Sequence, residues 1–142
     1  ETAEGILKLI EVSDGIKEAV LLPESASWKK VNLNSDMYVE YTYYYRREED
    51  DLQVFFGVWI DFWKKTGKPL CIGLCSDDHT VEYRKRFDAF VKNQKHLTTS
   101  DLQILNEDWY VTSLTWNQND PNFPTEEIAN VVMDLLEELT PV

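Results

Sequence analysis

Side chains alternate most clearly over residues 37–46. Met37, Val39, Tyr41, Tyr43 and Tyr45 share one parity, and Tyr38, Glu40, Thr42, Tyr44 and Arg46 share the other. Successive strand residues point to opposite faces, and Tyr and Thr suit a pleated, half-buried surface, so this spacing predicts a strand. Residues 47–51 are a polar connection. Residues 52–60 carry two patterns at once. Leu52, Val54, Phe56, Val58 and Ile60 alternate as in a strand, while Leu52, Phe55, Phe56, Trp59 and Trp63 fit a helix. Their aromatic and β-branched content, after so short a turn, favours a hairpin partner for 37–46. Residues 62–66 read as a helical turn closed by Gly67, since glycine is common just past a helix end.

The remaining elements follow from the same periodicities. Residues 2–20 place Ile6, Leu9, Ile10, Ser13 and Val20 on a helical stripe, against a competing turn at Ser13-Asp14-Gly15; the helix is preferred. Residues 28–33 and 70–75 read as strands. Ser76-Asp77-Asp78 supplies a helix start, and that helix runs to about Asn93 with Val81, Phe87, Phe90 and Val91 as core contacts. Residues 102–105 and 109–116 form a strand pair around Asn106-Glu107-Asp108, and 117–124 is a loop of turn residues. Over 125–139, Ile128, Val131, Val132, Leu135, Leu136 and Leu139 make one apolar arc. The order is therefore α-β-β-β-β-α-β-β-α. Short links make the strand pairs antiparallel. The expected fold is α+β, a mainly antiparallel sheet of five to six strands packed with three helices in one domain spanning 1–142.

At 142 residues the chain is long enough to bury a core without a disulfide or metal staple. Its net charge of −12 is unevenly placed. Residues 1–96 hold 17 acids and 14 bases, whereas 97–142 hold nine acids and neither Lys nor Arg. Just before that acidic third stand Arg84, Lys85, Arg86, Lys92 and Lys95. Such asymmetry marks either a partner surface or two segments that pack side by side and neutralise each other. The acidity argues against binding a nucleic-acid backbone or an anionic membrane surface, both of which need Lys and Arg. The element order, with this acidity, resembles the small acidic chaperones of bacterial type III secretion, whose order is helix, three strands, helix, two strands, helix. The resemblance rests on order and charge, with no shared motif, and the five tryptophans depart from it.

Cys71 and Cys75 lie on one predicted strand, about 13 Å apart at ~3.3 Å per residue, too far for a disulfide. Free thiols suit a reducing cytoplasm. No apolar run approaches the ~20 residues of a membrane span. The chain begins at Glu1 and not Met, which leaves open a trimmed chain or the C-terminal domain of a longer protein.

The sequence lacks phosphate-cradling glycine motifs, H-E-x-x-H, C-x-x-C, G-x-S-x-G and an Asp/Glu-x-Lys triplet. No cofactor or catalytic residue is assigned. The best polar cluster is Asp77, Asp78, His79 and Glu82. His79 and Glu82, three apart, share a helix face and with Asp78 could hold a divalent ion in a small metal-assisted hydrolase or nuclease; helix capping explains the same residues. Glu126, Glu127, Asp134, Glu137 and Glu138 project opposite the apolar arc of the last helix. Glu137 and Glu138 sit at the negative end of its dipole, where local stability would prefer Lys. With Trp109 and Trp116, these acids form the expected partner-binding surface of a non-catalytic interaction module. The roles it suits are an immunity-type inhibitor, a chaperone-like adaptor or a mimic of nucleic-acid charge. The partner expected is a basic protein, and a homodimer is also open.

Overall fold

The computed structural model describes residues 3–22, 27–35, 38–106, 108–115 and 122–141. The chain enters through α1 (Ala3–Ala19), then builds β1 (Lys29–Asn34), β2 (Val39–Arg47) and β3 (Leu52–Trp59). A short α2 (Ile60–Thr66) leads into β4 (Leu70–Ser76), α3 (Thr80–Lys92), β5 (Gln103–Leu105), β6 (Trp109–Ser113) and α4 (Thr125–Glu138). The six strands form one antiparallel sheet in the order β1-β2-β3-β4-β6-β5. The fold is α+β as the patterns predict, with a fourth helix. What reads in sequence as a helical turn at 62–66 is the seven-residue α2, and Gly67 closes it at φ 75°, its N–H donating to the Trp63 carbonyl at 2.8 Å.

One face of the sheet carries α1, α3 and α4. Tyr41, Tyr43, Val54, Phe56, Ile72 and Leu74 point into it and meet Leu9, Val12 and Ile16 of α1 and Ile128, Val132 and Leu135 of α4. The Ser13-Asp14-Gly15 turn signal loses to this packing. Ser13 is buried, a Cβ on Gly15 would stand 3.4 Å from the Thr125 methyl at the start of α4, and Asp14 accepts hydroxyl bonds from Tyr41 and Tyr43. The opposite face is closed over its centre by aromatic rings. Phe55, Trp59, Phe62 of α2, Cys71, Leu105 and Val111 are buried there, with Tyr38, Tyr44 and Trp109 packed around them. This double cover explains the two overlapping patterns in 52–60: β3 is buried on both sides, so both parities are apolar.

Two glycines shape the aromatic face. At Gly57 the φ is +138°, and a Cβ would stand 2.2 Å from the Tyr41 carbonyl oxygen, so only glycine fits. At Gly73 a Cβ would meet the Phe55 ring at 2.7 Å, so this glycine lets the ring lie across the sheet.

Two sequence expectations for α3 are corrected. The helix begins at Thr80, and Ser76 still belongs to β4, so Asp77 and Asp78 precede the helix and cap nothing. Val81 is 74% exposed and Tyr83 takes its place in the core with Phe87, Phe90 and Val91. With ~100° per residue, the stripe through Phe87 and Val91 includes position 83 and leaves 81 on the outer side. Tyr83 reaches Asp50 beyond the end of β2, where Arg47 also donates to both Asp50 oxygens at 2.8 Å. That pairing, with Arg47 the larger influence, holds the Asp50 carboxyl at a pKa of about 2.

Candidate functional site

The acidic helix and the basic run meet in space. A groove of about 770 Å³ runs between α3 and α4, with Lys85, Arg86 and Phe90 on one side and Asp134, Glu137 and Glu138 on the other. The fold thus sets part of the basic run against the acidic third. Neutralisation is incomplete, because Arg86 pairs with Glu82 of its own helix at 3.2 Å and Lys92 with Asp88 at 3.1 Å. Arg86 also donates to the Thr140 carbonyl at 2.6 Å and so ties down the segment after α4. Glu126, Asp134, Glu137 and Glu138 are exposed, and the last turn of α4 holds no basic residue. Glu127 is different. His96 Nε2 lies 2.6 Å from its Oε2, and that bond holds the Glu127 carboxyl below its ordinary pKa. Glu127 therefore anchors the segment before β5 to α4 as well as contributing to the acidic ridge.

Trp109 is not part of that ridge. It lies on the aromatic face, across the sheet from α4, with its ring 4.9 Å from Phe55 and 5.6 Å from Tyr44. Trp116 lies outside the described residues. The partner surface read from the sequence is thus divided between the two sides of the sheet.

The polar cluster at 77–82 does not assemble. Asp77, Asp78 and His79 are exposed, and Glu82 is engaged by Arg86. Among the described residues no three His, Cys, Asp or Glu side chains converge as metal ligands. Asp77 faces Asp51, which raises its carboxyl pKa, while Asp51 is lowered by Arg46 at 2.7 Å.

Sequence reading missed a carboxylate at the edge of the aromatic face. Glu40 is 8% exposed. Tyr38 donates to its Oε1 at 2.7 Å, and Thr42 and Tyr44 donate to its Oε2 at 2.9 and 2.8 Å. Trp59 Nε1 in turn donates to the Tyr38 hydroxyl at 3.0 Å. Burial and the Glu40 carboxylate push both phenols above the ordinary tyrosine range. Burial, aided by the charge of Glu40, also raises the Cys71 thiol, leaving it inert. Cys71 and Cys75 are both free and share this face. The signal was present in the alternation: Glu40 is the one acid on a parity that also holds Tyr38, Thr42 and Tyr44.

No protein-family model, no curated protein and no solved structure matches the chain. No helix among the described residues is long and apolar enough to cross a membrane.

Proposed function

We propose that this protein is a non-catalytic interaction module that engages a basic segment of a partner protein along the α3–α4 groove and the acidic outer ridge of α4. The observation that carries the reading is the acidic end of α4, whose Asp134, Glu137 and Glu138 enter none of the ion pairs among the described residues although Lys85 and Arg86 stand across the groove. Asp134, Glu137 and Glu138 line an open groove, and no basic residue in the last turn of α4 offsets them. Complementary charge in such a groove speeds encounter and sets specificity more than it adds raw affinity. An immunity-type inhibitor, a chaperone-like adaptor and a mimic of nucleic-acid charge all work through a surface of this kind. Two free, buried thiols suit a reducing compartment such as the cytoplasm. The same acidity disfavours nucleic acid as the partner, and the self-repulsion of a −12 chain disfavours a homodimer through this ridge.

A Lys/Arg-rich helical peptide serves as the probe. Its affinity should fall steeply as salt rises, and Glu137→Lys with Glu138→Lys should weaken it at least tenfold. Glu48→Lys with Glu49→Lys makes the same change in net charge at exposed positions on the 48–50 turn. Equal weakening by the two pairs would reduce the effect to net charge and remove the groove from the account.

A further inference from the structure

We infer that the aromatic face is a second docking surface, built to receive an arginine side chain of a partner protein against Glu40. The motivating fact is a charge without a counter-charge. Glu40 is held by three hydroxyl donors, and among the described residues no Lys, Arg or His pairs with it. Bases on the same side of the sheet do not pair with it. Arg46 is committed to Asp51 at 2.7 Å, and Lys29, across from Tyr44 in the register, makes no ion pair with Glu40. Taking a carboxylate out of water is costly unless a cation or a full set of donors repays it. A carboxylate accepts about four hydrogen bonds, and here Oε2 holds two while Oε1 holds one. One acceptor position on Oε1 is therefore open.

The surroundings suit a guanidinium better than an ammonium. Tyr38 and Tyr44, which hold the carboxylate, and Trp109, whose ring packs on Tyr44 and Phe55, are half-buried on this face. A planar, weakly hydrated cation can stack on such rings while its N–H groups reach the carboxylate. Leu33 stands directly across from Glu40 on the edge strand β1 and is 53% exposed, which gives apolar contact beside the charged point. An aromatic rim around a desolvated carboxylate is the composition in which arginine becomes a hot spot. This surface lies across the sheet from α4, so it does not depend on the acidic ridge.

The test uses the whole protein and the peptide acetyl-Leu-Arg-Leu-amide, followed by tryptophan fluorescence and by amide and indole NMR shifts. Saturable shifts at residues 38–44 and at the Trp59 and Trp109 indoles are expected. Replacing the arginine by citrulline, or Glu40→Gln, should weaken binding at least tenfold, while Glu137→Lys with Glu138→Lys should change it less than twofold. Tyr38→Phe keeps the ring and frees a Glu40 lone pair, so it should bind as well as wild type or better. If Glu40→Gln does not fold, the wild-type shift map decides. Shifts confined to α4, equal binding of the citrulline peptide, or no saturable binding would each overturn the proposal. Free arginine binding as tightly as the peptide would mark a small-molecule site and would likewise overturn it.

Discussion

Asp50 and Glu40 are both buried acids, and they differ in what holds them. Asp50 takes two bonds from Arg47 and one from Tyr83, and its pKa falls to about 2. A depressed carboxyl stabilises the fold above its unfolded pKa and loses that contribution as pH falls through its folded pKa. Asp50→Asn should therefore cost on the order of 3 kcal/mol at pH 7, because it strands Arg47 in a buried site. The loss should shrink markedly toward pH 2, as the wild-type carboxyl takes up its own proton. Urea unfolding of both proteins at the two pH values checks this, and a pH-independent loss would rule it out. Neither acid's role was legible from residue type. Asp50 lies in the run Glu48-Glu49-Asp50-Asp51, and only the position of Tyr83 on α3 singles it out. Glu40 was legible in part, since its three donors sit on its own strand at the same parity. Its burial was not, because that depends on rings from β3 and β6.

Hydrophobic periodicity located every strand of the sheet and the bodies of all the long helices. In α3 it favours Tyr83 over Val81, where residue type alone points the other way. Val81 is the more apolar residue, yet the stripe through Phe87 and Val91 passes through Tyr83, whose hydroxyl finds its polar partner at Asp50. Periodicity undercounted α2, whose few residues are too short for a 3.6-residue pattern to stand out. The α4 helix shows local preference and surface composition pulling in opposite directions. Its apolar arc is core, yet its last turn carries two acids at the negative dipole end. Glu138→Lys should raise Tm by about 1–3 °C through the dipole and a new pairing with Asp134. The same change should weaken binding of the basic probe. A Tm that falls would mean that Glu138 is satisfied by the groove in the free protein, contrary to the ridge described here.

For the molecule as a whole, the charge is less separated in space than in sequence. Lys85 and Arg86 stand across a groove from Asp134, Glu137 and Glu138, and His96 bonds Glu127. A net −12 still remains on one chain, so the folded state carries self-repulsion that salt screens. Raising salt from about 0.02 to 0.2 M should increase the Tm of the free protein while it weakens the basic probe. A Tm that drops over that range would show that the internal ion pairs outweigh the repulsion. The sheet keeps its two candidate surfaces apart, one over α3 and α4 and one over the aromatic rings, so both could be occupied at once. The packing of α1 on α4 bears on how the chain reaches this state. Gly15 lies against Thr125, and the Leu21 amide donates to the Met133 sulfur at 3.3 Å, so the first helix is covered by the last. During synthesis the apolar stripe of α1 has to wait, with β2 and β3 as early neighbours, until α4 leaves the ribosome. Although α1 is made well before α4, it is among the last elements to be sealed, and the interval between is when a holding chaperone or a wrong neighbour would find it.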